Sequence, residues 1–243
     1  MTPSLRVAID SATDRLSLAA DTGPGSAAVE LGVVGARRHA ATLLPLIDQI
    51  LTRLDGRIDD LALVAVSDGP GSFTGLRVGI SVAKALALSA RIPLVSAPSL
   101  LVRSAGVARP GERVLALSSA LRGEVFAGAW RFDHAGGVVE LFPPRAIGPP
   151  HLDALPPVDR IVGEGPPDLI AALCARAGLE PVSVVEGWPS AMALLRLAGM
   201  NGGSRVVTDP ASWEPTYGRP AEAQAKWERE HGRPLPDPGV GTG

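Results

Sequence analysis

Two short stretches carry the residue types from which an active site could be built. The first is Asp10-Ser11-Ala12-Thr13, a carboxylate and two hydroxyls directly after the apolar run Leu5 to Ile9. The second is Gly69-Pro70-Gly71-Ser72-Phe73-Thr74-Gly75, directly after the run Leu61 to Val66 and its Ser67-Asp68. A glycine-rich turn that opens a helix aims backbone N–H groups at one point and suits a phosphate. The chemistry would then be nucleotide binding or phosphoryl transfer, with Asp10, Ser11, Gly69 and Gly71 as contacts. The known phosphate and nucleophile patterns do not complete. There is no G-x-x-x-x-G-K-[ST], and G-x-G-x-x-G fails at Thr74. The serine-nucleophile elbow G-x-S-x-G fails too, because Pro70 and Thr74 flank Gly71-Ser72-Phe73. A tight turn and helix entry capped by Ser72 or Thr74 explains the same residues. Asp10 can equally be a turn carboxylate bonded to nearby amides.

Other reactive side chains are scattered. His39, His134, His151 and His231 have no second His at i+3 or i+4, so no metal site is expected. Cys174 is the only cysteine and sits in the apolar helix-like stretch LIAALCARA, which reads as an inert buried thiol. A single cysteine excludes an internal disulfide and fits a reducing compartment. Net charge is −2 and aromatic residues make up only 4%, so neither a basic groove nor stacking platforms for a solitary nucleic-acid binder are expected. No uninterrupted run of about 20 apolar residues and no leader-like start are visible, so the expectation is a cytoplasmic protein without a membrane span.

The elements that position these stretches follow from periodicity. Leu5 to Ile9, Leu16 to Ala20 and Ala27 to Val34 read as a meander of three strands. From Arg37 to Leu54, Leu43, Leu44, Ile47, Ile50, Leu51 and Leu54 recur at helical spacing, with Pro45 inside. The Leu61 strand, a helix over Ser72–Ser89 and a strand at Pro93 to Ser96 complete the order β-β-β-α-β-α-β, a mixed sheet with helices on its faces. Gly75, Gly79, Ala83 and Ala87 form one small-residue ridge on the second helix. Interior glycine costs roughly 0.5–1 kcal/mol against alanine, so a packing need is implied. The helix is apolar nearly all round, and we read the ridge as the side covered by a partner. On that reading Gly79→Leu removes partner binding and leaves the lobe folded.

A second half begins alike, with strands at Val114 to Ser118, Glu124 to Phe132 and Val138 to Phe142. The proline-rich stretch Pro143 to Pro157 reads as loop, followed by strand (159–163), helix (167–177), strand (181–185) and helix (190–200). The expected division is residues 1–106 as a first lobe, 107–208 as a smaller degenerate lobe and 209–243 as a tail. In that tail, 221–231 reads as a polar helix and 234–243 as disordered.

The run Val7-Ala8-Ile9-Asp10-Ser11-Ala12-Thr13 resembles the opening strand and turn of the actin-like ATPase superfamily, whose fold is two-lobed α/β (ribonuclease H-like). With His39 leading a helix and Gly69 through Gly79, it resembles one family there, TsaB (YeaZ). The likeness covers most of residues 5–100. Beyond them it rests on Arg122-Gly123-Glu124-Val125-Phe126 and on layout. It implies a non-catalytic subunit in the making of threonylcarbamoyladenosine at position 37 of tRNAs reading ANN codons. Such a subunit binds the catalytic paralogue TsaD, is joined by the ATPase TsaE, meets tRNA only through the complex and forms a homodimer when alone. No cofactor is implied for the isolated subunit, and a nucleotide would belong to the assembled interface. The contact surface implied is the first two helices, with His39, Leu43, Leu44, Ile47, Leu51, Ser72, Thr74, Gly75, Arg77, Val78, Gly79, Val82, Ala83 and Leu86. The sequence departs from the family at Ser11, at Ser119-Ala120-Leu121 and at Tyr217-Gly218-Arg219. The competing class is an actin-like ATPase or phosphotransferase using Asp10 and the glycine loop.

Overall fold

A computed structural model describes residues 5–35, 39–120, 123–182 and 187–216. The apolar strands pair into two mixed sheets. In the first, β1 (Leu5–Asp10), β2 (Arg15–Asp21) and β3 (Val29–Val34) form the antiparallel meander. Helix α1 (His39–Arg53) crosses to β4 (Leu61–Ser67), parallel to β1, and α2 (Phe73–Ala90) leads to β5 (Leu94–Ala97), parallel to β4. A helical crossover is what a parallel neighbour requires.

After α3 (Ser99–Val107) the second sheet starts with the meander β6 (Arg113–Ser119), β7 (Val125–Phe132) and β8 (Val138–Ile147). Strand β9 (Arg160–Gly163) returns parallel to β6. Helix α4 (Pro167–Ala177) then precedes the two-residue β10 (Pro181–Val182). The chain next recrosses: α5 (Ala191–Ala198) packs on β1 and β2, and β11 (Arg205–Val206) pairs with β5. Strand orders are therefore β11-β5-β4-β1-β2-β3 and β10-β9-β6-β7-β8.

Three apolar layers result. The outer face of the first sheet (Val7, Ile9, Leu16, Leu18, Val64, Val66) is covered by α1 and α2. Its inner face carries Ala8, Ala19 and Ala65, small enough for α3 and α5 to lie between the sheets against Val114, Phe126 and Trp130. Leu115, Leu117, Ala127 and Phe142 form the outer face of the second sheet under Leu169 and Leu173 of α4.

Three elements differ from the sequence reading. Helix α3 was not expected because seven of its nine residues are buried, leaving no polar stripe to reveal a helical period. Strand β8 continues through Pro143-Pro144, read above as loop, because it is the sheet's edge, where missing donors can face outward. Residues 191–206, expected in the second lobe, pack on the first sheet. The strand end at 183–185, the Arg122 side of the second-half motif and the tail from Tyr217 onward lie outside the described residues.

Candidate functional site

The small-residue ridge of α2 points into the molecule. Gly75, Gly79, Ala83 and Ala87 are all buried. A Cβ on Gly75 would run into the Ser11 carbonyl, and one on Gly79 into Ser11 Oγ with Ile9 close behind. The close backbone approach that the glycines provide is between α2 and the end of β1. The ridge is thus an intramolecular seam, and the expectation that Gly79→Leu leaves the lobe folded is corrected. Both glycines precede any partner contact.

Much of the expected contact set shares that fate. Leu43, Ile47 and Leu51 are buried under the first sheet, Leu86 likewise, and His39 is buried with Nε2 3.3 Å from the Asp14 carbonyl. Ser72 serves as the N-cap of α2, its hydroxyl accepting from Gly75 N at 3.2 Å. A helix donates its first N–H groups to nothing internal, so this cap is where the loop ends.

What α1 and α2 leave outward is a different set. Leu44 is 61% exposed and Leu88 51%, the only large apolar side chains of these two helices so placed. Ala40, Ala41, Pro45, Thr74, Arg77, Ser81 and Ala85 of the same two helices are exposed as well, with Val78 and Val82 half-buried. Arg77 lies over the Phe73 ring, 4.7 Å from its centroid. Helix α2 is the one described helix long and apolar enough to cross a membrane, and its apolar residues are divided between the core and this outer face.

The glycine loop is filled by its own chain. Gly69 N donates to Ser99 Oγ at 3.0 Å, Ser99 N to the Gly69 carbonyl at 2.8 Å, and Ser72 N to the Ala12 carbonyl at 2.7 Å. Gly69 has φ +103°, and a Cβ there would meet the Thr216 carbonyl. Gly71 abuts Ala12 in the same way. The segment 205–216 straps this loop: Arg205 Nη2 reaches buried Asp68 Oδ2 at 2.6 Å, Thr216 N donates to the Asp68 carbonyl, and Lys84 binds the Trp213 carbonyl.

Asp10 is buried at the carboxyl end of β1. Its Oδ1 accepts from Ala12 N at 3.3 Å while Oδ2 has no hydrogen bond. Burial pushes the carboxyl above its usual range; the Ser67 hydroxyl, close by but outside hydrogen-bond geometry, the Ala12 amide and the charges of Arg103 and Arg15 hold it back. Sequence reasoning missed Arg103. The signal was one arginine inside the apolar run SLLVRSAGV.

The remaining candidates do not converge. Burial pushes the Cys174 thiol up, which suits an unreactive core position. His151 Nδ1 accepts from Gly148 N at 3.2 Å within its own turn. Among the described residues no three His, Cys, Asp or Glu side chains come together as metal ligands.

Comparison with known proteins adds the following. The family model for TsaD, tRNA N6-adenosine threonylcarbamoyltransferase, matches residues 32–147. The Escherichia coli tRNA threonylcarbamoyladenosine biosynthesis protein TsaB is 37% identical over 133 residues, 54% of this chain and 56% of that protein. The match therefore spans little more than half the length of that relative. The Bacillus subtilis TsaB is 28% identical over 203 residues, 79% of this chain and 84% of its own. The solved structure of YeaZ from Pseudomonas aeruginosa superposes with a TM-score of 0.65 at 26% identity, covering 81% of this chain and 91% of that one.

Proposed function

Because the chain belongs to the TsaB (YeaZ) family of the actin-like ATPase superfamily, we propose that it serves tRNA threonylcarbamoyladenosine biosynthesis as a non-catalytic subunit that docks onto a TsaD protein. The observation that carries this reading is the outward side of α1 and α2, where Leu44 and Leu88 stand exposed on neighbouring helices. An apolar side chain exposed by more than half on a packed helix is common singly; two of them on adjacent helices, with Ala40, Ala41, Pro45 and Ala85 also exposed, leave apolar area that gains by being covered. In the absence of TsaD the same face would pair with a second copy. TsaE joins the complex, and tRNA is met through it in the cytoplasm.

The ATPase reading has less support. The loop amides of Gly69 and Ser72 are used internally, and Asp10 is buried with Oδ1 accepting from Ala12 N in its own turn. A helix entry packed against its own chain accounts for the glycines without a phosphate.

The test is size-exclusion chromatography with light scattering on this protein, alone and mixed with TsaD from the same organism. Wild type is expected to give a heterodimer, and Leu44→Asp and Leu88→Asp to weaken or abolish it. Both positions are exposed, so the melting temperature should stay within a few degrees of wild type, as surface changes usually stay within about 0.5 kcal/mol. Undiminished heterodimer in both variants would overturn the surface assignment. No complex with wild type would overturn the subunit reading itself.

A further inference from the structure

Where the end of α3 meets α5 and the start of β2, the packing leaves a cavity of about 290 Å³. Pockets that take small organic ligands begin near about 300 Å³. This one lies on the inner side of the first sheet, opposite the side that α1 and α2 cover. It opens to solvent beside Gly106 and Arg196, which are exposed, and its walls include the half-buried Trp188 and Met192. Gly106 is a helical glycine without a close neighbour: a Cβ there would meet only the Trp188 carbonyl, at 3.9 Å. Close packing demands Gly75 and Gly79, whereas at Gly106 the missing side chain leaves the cavity open.

Charge in the cavity is one-sided. Arg15 Nη1 donates to the Pro189 carbonyl at 3.3 Å, and its Nη2 stands 3.9 Å from Glu30 Oε1, at the limit of an ion pair. That oxygen already accepts from Ser17 Oγ at 2.5 Å and from Ser190 Oγ at 2.8 Å. Arg196 Nη2 donates to the Ala105 carbonyl at 2.7 Å, and among the described residues no carboxylate comes within 4 Å of its guanidinium. A guanidinium stays charged and presents its donors in a planar fork that matches a carboxylate or a phosphate. One bond to a carbonyl leaves most of those donors unused. The first amides of α5 are taken, Ala191 N by Ser17 Oγ at 2.9 Å and Ala193 N by Ser190 Oγ at 3.4 Å. The attraction for an anion therefore comes from the two arginines and not from the helix end. Indole and thioether groups beside them suit a flat apolar body.

We propose that this cavity binds a small organic anion: Arg15 and Arg196 hold its carboxylate or phosphate, and Trp188 and Met192 take its flat apolar part. The site is separate from the face of α1 and α2 assigned to docking, so either can fail without the other.

The test is a ligand-observed NMR titration of the full chain with phenyl phosphate, benzoate, inorganic phosphate and phenol. Phenyl phosphate or benzoate should bind with a Kd of roughly 0.1–1 mM, the range open to a ligand of about ten non-hydrogen atoms. The tighter of the two identifies the anion as a phosphate monoester or a carboxylate. Inorganic phosphate and phenol, each one half of such a ligand, should bind at least about ten-fold more weakly. Arg196→Gln, at an exposed position, should weaken binding about ten-fold, as the loss of a charged hydrogen-bond donor does. Gly106→Phe places a ring in the mouth and should abolish binding with the melting temperature little changed. Leu44→Asp, on the outer face, should bind the anion as wild type does. No binding at about 10 mM ligand, phenol binding as tightly as phenyl phosphate, or undiminished binding by Arg196→Gln would overturn the site.

Discussion

The two sheets are laid out in the same order, a three-strand meander flanked by a parallel strand reached by a crossover, yet they present opposite surfaces. In the first half the crossover is the fifteen-residue α1, and the eighteen-residue α2 follows. In the second half the path from β8 to β9 is residues 148–159, with four prolines and only a 3₁₀ turn at Pro149–Ala154. Proline removes the donors a helix needs and clashes with the preceding turn. The helix that follows, α4, is eleven residues long, and the last one, α5, is spent on the first sheet. The contrast teaches that strand order sets where a sheet's edges and crevices fall, while the connectors decide which half can offer a helical face to a partner. Here α1 and α2 leave Leu44 and Leu88 exposed, whereas α4 exposes no large apolar side chain.

That comparison can be broken most severely at α2. Gly79→Leu should destabilise the protein by about 3–5 kcal/mol, since the added atoms meet the buried side chains of Ser11 and Ile9. Ala172→Leu, on the exposed side of α4, should change the melting temperature hardly at all. Thermal denaturation by circular dichroism checks both. A Gly79→Leu variant as stable as wild type would return the ridge to the surface.

A smaller loss is expected in the other half. Leu173 is buried under the second sheet, and Leu173→Ala should cost roughly 2–4 kcal/mol in urea unfolding. Because its core layer is separate from the one beneath α1 and α2, the first-half amides should keep more of their exchange protection than those of β7 and β8. Equal loss everywhere would mean that the halves do not differ in stability.

The smallest effect is at the second sheet's rim. Arg113 forks onto Asp159 at 2.7 and 2.9 Å and holds that carboxyl down to about 2. A depressed carboxyl stabilises the fold above its unfolded value, and the contribution is lost as pH falls through the folded one. Both side chains are more than a third exposed, so solvent screening keeps the effect small. Asp159→Asn should lower the melting temperature by only about 1–2 °C at pH 7. The difference from wild type should close between pH 4 and pH 2, and a difference that widens there would contradict the pairing.

Most of the fold could be read from the chain because its strands alternate with clear punctuation. The meander at Leu5–Val34, α1 with its Leu43, Ile47 and Leu51 face, and the strand, glycine turn and helix around Ser67–Ala90 all follow from local pattern. Helix α3 was hidden because a helix buried on every side has no polar stripe. The run through Pro143-Pro144 was hidden because an edge strand tolerates residues that a central strand does not. Thr74 and Arg77 of α2 and Leu44 of α1, named in the contact set that the resemblance implies, are exposed, and so is Leu88, which that set omits.

The sequence by itself determined the first-half meander, α1 and the strand, glycine turn and helix that follow, that α2 needs close approach along Gly75 and Gly79, and which family the chain resembles. These follow from period, turn chemistry and motif, all of which are local. Only the tertiary structure decided what the approach is to. The end of β1 lies some sixty residues earlier in the chain and fills the ridge, so the free surface is the opposite side of the same helix. It also decided that Arg103, a lone arginine in an apolar run, is buried with Glu164 Oε1 3.5 Å away. Side-chain spacing states which faces are apolar or small; only the path of the rest of the chain states what covers them.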